Sequence, residues 1–389
     1  MPTLSKRVQK LQSSGIRVIA RMAAKIPNCI KLHIGIPNFF TPEHIKAAGI
    51  AAIKNNFTKY THNSGEELVR RAIAKRINYK FRKMTLKHGS FINFENITVT
   101  AGGMGGLSTS ITAITDPGDE ILIPNPGWPN FYMIPMSQGV KYRFYPLKAK
   151  NGFVPQSEDI ESKITKKTKV ILINTPANPT GAVIPEKIIR QIVKLAQKYN
   201  LFILSDESYD DIIFEGTHFS PYALNQKHVI VVRSCSKSYA MTGWRVGYTI
   251  SSKEIAEKLM ELNECQIACV PSMSQMAAKA AIEGSQICVR QMVKSYKKRR
   301  DLVVNLLKKY ELYGYTPRGA FYILVDISSS GLDSDEFARQ FLVKKRVSVA
   351  PGSTFGSHAN SYVRICFAAS EGDISQGIKR LAEFIKHGT

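Results

Sequence analysis

Between residues 97 and 250 the chain alternates short apolar stretches with helical stretches or Pro/Gly turns, and no other feature restricts its fold as strongly. The apolar stretches fall at 97–100, 120–123, 141–145, 170–174, 202–205, 229–232 and 246–250. Helical patterns follow at about 103–114, 185–199 and 253–264, and Asp116-Pro117-Gly118-Asp119 marks a turn before the second strand. Such alternation predicts an α/β domain, a mainly parallel seven-stranded sheet flanked by helices. Ligands on sheets of this kind bind beyond the carboxyl ends of the strands.

After Pro271 the pattern changes. An alanine-rich helix at 272–283 precedes a long, lysine-studded helix at 289–310 that can bridge two units. Then come strands at 320–325, 347–350 and 362–368, a helix at 334–345 and a C-terminal helix, the mixture of a smaller α+β domain. At 389 residues the chain exceeds the usual single-core limit, so two packed units are expected.

Several function classes are disfavoured. No uninterrupted apolar run reaches the ~18 residues needed to span a bilayer. The N-terminus lacks the apolar stretch of a secretory signal. It carries Lys6, Arg7, Lys10, Arg17 and Arg21 with no acid before Glu43, a charge pattern shared with transit peptides. It also reads as an amphipathic first helix with Leu4, Val8 and Leu11 on one face. Six cysteines, at 29, 235, 265, 269, 288 and 366, form no disulfide framework and fit a reducing, cytoplasmic setting. Cys265 and Cys269 have no neighbouring histidine and read as buried small hydrophobes rather than a zinc site. The net charge of +24 is scattered over helical patterns (Arg70-Arg71, Lys166-Lys167, Lys344 to Arg346), as solvated faces rather than a nucleic-acid-binding patch.

Four stretches carry chemistry. Val232-Arg233-Ser234-Cys235-Ser236-Lys237 ends a strand in hydroxyl residues and a lysine, and Arg245 follows beside glycines. A lysine becomes nucleophilic when desolvated or set near other cations; the plainer reading is a surface lysine after a strand. Ile171 to Gly181 is a strand running into a Pro/Gly turn that presents Asn178. Leu201 to Tyr209 delivers Asp206 at a strand's carboxyl end, with Tyr209 three residues on; a helix cap is the plainer role for the Asp. Ile97 to Leu107 places Gly102 and Gly103 between a strand and a helix, where free N–H groups suit an anion.

In their order along the chain these four stretches resemble fold-type I pyridoxal-phosphate enzymes, specifically the aspartate-aminotransferase-like class I/II aminotransferases. The resemblance runs from about Ile16 to near the C-terminus. It implies a segment 1–45 packing with the small domain, a large cofactor-binding domain over 46–275, and a small domain over 276–389. It implies pyridoxal 5′-phosphate held by Lys237 as a Schiff base, with Asp206 on the pyridine nitrogen and Asn178 and Tyr209 on the ring oxygen. Trp128 would lie flat on the ring, and Gly102, Gly103, Ser234, Ser236 and Arg245 would cup the phosphate. Tyr60 would reach the cofactor of the other subunit in a homodimer with shared sites. Arg364, mid-strand among apolar residues, would grip the substrate carboxylate with Gly35 and Ile36 nearby; a structural salt bridge is the alternative.

The resemblance implies ping-pong transamination between L-amino acids and 2-oxo acids. Met104 stands where some dicarboxylate-specific relatives carry a lysine, which tilts the pocket towards neutral or aromatic side chains. Other readings on the same scaffold are a C–S or β-elimination lyase, a cyclising eliminase, and, more remotely, a pyridoxal-phosphate-sensing regulator.

Overall fold

The computed structural model describes residues 2–82 and 91–387. Residues 1, 83–90 and 388–389, parts of the expected domain spans, lie outside the described residues.

Seven strands form one sheet: β1 (Ile97–Thr100), β2 (Glu120–Asn125), β3 (Lys141–Pro146), β4 (Thr168–Asn174), β5 (Phe202–Asp206), β6 (Val229–Ser234) and β7 (Gly247–Ile250). Their order is β1-β7-β6-β5-β4-β2-β3. β7 runs antiparallel to both of its neighbours, and every other pair is parallel. The sheet is buried on both faces. Ile121, Ile123, Val170, Leu172, Leu204, Ile230 and Val232 pack with the helix Gly102–Ile114 on one side. Leu122, Ile171, Ile173, Ile203, Val229 and Val231 pack on the other. Each such fully buried aliphatic side chain stabilises the fold by about 1.5–3 kcal/mol. This two-sided burial explains why the inner strands read as continuous apolar runs.

A three-stranded antiparallel sheet of β8 (Tyr322–Asp326), β9 (Ala350–Pro351) and β10 (Tyr362–Cys366) lies in a separate core. That core also takes Ile19 and Ala23 from the helix Gly15–Ala23, and Tyr296 and Val303 from the helix Ile287–Lys309. Ile30–Lys31 pairs with Val347–Ser348 in a further short ladder. The single strand expected at 347–350 is thus divided between two partners, Val347–Ser348 with the N-terminal segment and β9 with β10.

Two expectations are corrected. The amphipathic first helix shrinks to Lys6–Gln9, with Leu4 and Val8 exposed to solvent rather than packed. Cys265 is exposed and Cys269 half-buried, since both fall near the open end of the helix Lys253–Ile267 rather than inside a core. Among the described residues no helix is long and apolar enough to cross a membrane.

Candidate active site

The carboxyl ends of β2, β4, β5 and β6 deliver the chemistry. Asn174 and Asp206 are register partners at the ends of β4 and β5. The Asn174 side chain accepts a hydrogen bond from the Asn178 N–H at 2.8 Å, which anchors the turn carrying Asn178. Trp128 follows β2, half-buried, edge-on to Phe131. Lys237 sits in a one-turn helix directly after β6.

Lys237 makes no ion pair. Its Nζ donates to the Gly35 carbonyl at 2.7 Å. Burial lowers its pKa to about 8; Cys366 opposes this, the cations Arg364 and Arg245 push the same way as burial, and Asp206 adds a smaller opposing effect. Asp206 is buried, and its Oδ1 accepts from the Ser208 N–H at 3.0 Å and the Ser208 hydroxyl at 2.6 Å. Burial raises its pKa to about 6 against those two bonds. No described residue forms an ion pair with it. A buried carboxylate of this kind suits a ligand that brings a ring cation.

Arg364 is 2 % exposed, on β10. Its Nη1 donates to Asn178 Oδ1 at 2.9 Å and its Nη2 to the His33 carbonyl at 2.6 Å, while its buried Nε has no partner. Tyr322 and Phe355 lie against the guanidinium, 4.4 and 4.9 Å from its carbon to their ring centroids. No acid among the described residues pairs with it, so the salt-bridge alternative falls. A desolvated guanidinium with a free donor suits a carboxylate ligand.

Gly102 has φ +69°, and a Cβ there would stand 2.7 Å from Arg245 Nη2. Arg245 itself is left-handed, its two Nη atoms donating to the Thr242 and Ala101 carbonyls. A Cβ on Gly103 would meet Ser208 Oγ at 3.1 Å and Ser234 Cβ at 3.6 Å. Gly102, Gly103, Arg245, Ser208 and Ser234 therefore converge on one cradle that side chains would fill, at the start of a 13-residue helix whose N–H groups favour an anion. Within it, Ser234 also caps its own helix, its hydroxyl accepting from the Ser236 N–H at 3.2 Å.

The Tyr209 hydroxyl is paired with that of Tyr322 at 2.8 Å. Ile36 is half exposed and lines a cleft of about 480 Å³ with Phe39, Phe40, Thr41 and Trp244. That cleft borders the lysine through the Gly35–Ile36 turn, but Lys237, Asp206 and Arg364 are not in its wall, so the side-chain cluster and not this cleft marks the chemistry. Tyr60 is 89 % exposed and makes no contact with the cluster.

Sequence reasoning missed Ser208, Tyr322 and His33. A serine two residues after an Asp is a local turn signal that could have revealed the first. His33, buried, has its pKa lowered to about 4 by burial and then by Arg364 and Lys31. It also passed over the buried ion cluster beneath Asp206. There Glu207 is bonded to His218 and Arg233, and Arg233 reaches Asp210, which pairs with Lys80.

The model of the family "Aminotransferase class I and II" matches residues 27–381. A probable aspartate aminotransferase of Methanocaldococcus jannaschii is 35% identical over 98% of this chain and 100% of its own length. An aspartate/prephenate aminotransferase of Thermus thermophilus is 33% identical over 99% of both. Among solved structures, aspartate aminotransferase from Thermus thermophilus with maleate superposes with a TM-score of 0.91 at 32% identity, covering 98% of this chain and 100% of that one.

Proposed function

The chain belongs to the class I and II aminotransferase family, and from that premise we propose that it moves an amino group from an L-amino acid to a 2-oxo acid on pyridoxal 5′-phosphate, by ping-pong exchange. The observation that carries the reading is Arg364, a buried cation without a counter-ion among the described residues, set within the same cluster as an amine and a carboxylate that form no ion pair there either. A carboxylate-bearing substrate satisfies the first, and the cofactor the other two.

When bound, pyridoxal phosphate supplies an aldehyde and an electron-withdrawing ring that lowers the acidity barrier at the substrate's α-carbon. The chain's own groups do the rest. Lys237 would hold the aldehyde and would accept and return the substrate's α-proton at Nζ; burial lowers its pKa to about 8, which leaves part of the free amine unprotonated at neutral pH. Asp206 holds the proton on the ring nitrogen. Asn178, whose Oδ1 is occupied by Arg364, has its amide nitrogen left to donate to the ring oxygen beside Tyr209. Gly102, Gly103, Ser234, Ser236 and Arg245 hold the phosphate, and Trp128 covers the ring. Arg364 binds the carboxylate in a two-pronged grip beside Gly35 and Ile36.

Met104 and Trp128 are both half-buried against the same apolar cluster, which supports a preference for neutral or aromatic donors. The relatives are named for aspartate and for prephenate, so both dicarboxylic and aromatic donors belong in any test. The same premise divides the chain into 1–45, 46–275 and 276–389. It also makes the molecule a homodimer in which Tyr60 of one protomer serves the other's site.

The test is direct. Purified protein with its visible absorbance band is mixed with a panel of amino acids, aspartate and glutamate included. Bleaching by neutral or aromatic donors, with recovery on adding a 2-oxo acid, is the expected result. Release of ammonia and pyruvate without an acceptor would move the reading to elimination, and a preparation that takes up no pyridoxal phosphate would end it.

A further inference from the structure

Tyr322 lies where the expected roles of three residues meet. Its hydroxyl is 2.8 Å from the Tyr209 hydroxyl, its ring faces the Arg364 guanidinium, and its Oη is packed so closely on Gly35 that a Cβ there would overlap it. Both tyrosines are buried. Each hydroxyl has one hydrogen, and only one of the two lies in the shared contact. A cofactor ring oxygen gives Tyr209 a second acceptor; among the described residues the Tyr322 hydroxyl has none but Tyr209, and a buried hydroxyl hydrogen goes to the acceptor it has. Arg364 stands against Tyr322, and Arg364 and Asp206 act on Tyr209 with opposite signs, so the direction of the bond rests on the available acceptors rather than on the charges.

Resting on the pyridoxal-phosphate reading above, we propose that Tyr322 is a positioning residue whose hydroxyl donates to Tyr209 and so commits the Tyr209 hydrogen to the cofactor's ring oxygen. An O–H that accepts a hydrogen bond is polarised into a stronger donor. Tyr322 thereby strengthens the bond that keeps the ring oxygen ionised, and with it the unprotonated state of the lysine linkage.

The experiment titrates the visible absorbance of holoenzyme against pH. Tyr322→Phe keeps the ring and its contact with Arg364 while removing only the hydroxyl, and is expected to raise the midpoint by about 0.5–1 pH unit, the effect of losing one ordinary hydrogen bond. Tyr209→Phe should raise it further, and the double variant should match Tyr209→Phe alone. Should Tyr322→Phe fail to fold, 3-fluorotyrosine introduced at Tyr322, a stronger donor of nearly the same size, is expected to lower the midpoint instead. An unmoved midpoint, or additive shifts in the double variant, would overturn the proposal. Wild-type protein with no visible band would instead sink the functional reading on which it rests.

Discussion

Asp206 is the residue at which stability and function pull apart. Its pKa is raised to about 6, so the folded protein without cofactor binds a proton more tightly than the unfolded chain does. By linkage, stability falls as pH rises from about 4 through 6, and the loss is complete above that window. The shift corresponds to roughly 3 kcal/mol. Asp206→Asn keeps the shape and an oxygen for the Ser208 donors but cannot ionise. Cofactor-free Asp206→Asn protein is therefore expected to be more stable than wild type by roughly that amount at pH 7.5, and no more stable at pH 4. Urea unfolding at the two pH values measures this, and a variant less stable than wild type at pH 7.5 would refute the assignment. Lys237 carries the opposite sign: its pKa is lowered to about 8, so its neutral amine appears about two and a half units sooner than in an exposed lysine. Capture of pyridoxal phosphate by the cofactor-free protein should accelerate with pH and level off above about 8. A rate still climbing at pH 10 would show an ordinary solvated amine.

At the scale of elements, the site is a set of strand ends, and that much could be read from residues alone. The apolar runs at 170–174 and 202–205 stop at Pro176 and at Asp206 for local reasons, a turn residue and a polar one, so the strand boundaries shift by only a residue or two. Tyr322 and His33 were not legible because nothing local distinguishes them. Their partners lie 113 and 331 residues away, and only the tertiary approach of β8 to the turn after β5, and of β10 to the N-terminal segment, brings them in. Arg233 is the sharpest miss: a strand pattern treats it as a surface charge, yet it is 1 % exposed and bonded to Glu207 and Asp210. Burial would raise Glu207, but His218 and Arg233 outweigh it and hold its carboxyl at about 2. Arg233→Met leaves two buried acids short of a cation and should destabilise the protein by about 3–5 kcal/mol. An unfolding midpoint unchanged in urea would contradict that cluster. The glycine-rich turn makes a separate prediction. Gly102→Ala forces a left-handed alanine, worth about 1 kcal/mol, and pushes the flexible end of Arg245 aside. Cofactor affinity should drop about tenfold, the loss of one charge-assisted bond, while unfolding moves by little more than the backbone cost. Equal affinity in the two proteins would remove Arg245 from the phosphate cradle.

The whole molecule poses a question that one protomer does not answer. Phe40 and Tyr60 are 93 % and 89 % exposed, and Ile50 and Ile53 on the helix Glu43–Lys54 are half exposed. Large apolar side chains left in water near a cleft mark a surface that meets another protein. On the proposed reading the other protein is a second copy, and each site takes Lys237 from one protomer and Tyr60 from its partner. That arrangement can be tested by mixing. Lys237→Ala protein has no amine for the cofactor, and Tyr60→Ala protein should bind cofactor weakly and turn over little when cofactor is limiting. If the two are dissociated and reassociated together, a hybrid dimer holds one site with both lesions and one with native Lys237 and native Tyr60. Activity at limiting cofactor should then rise above the sum of the two parents, towards a quarter of wild type when the subunits mix at random. If Tyr60 served the site of its own protomer, every hybrid site would carry one lesion, and mixing would yield nothing beyond the parents.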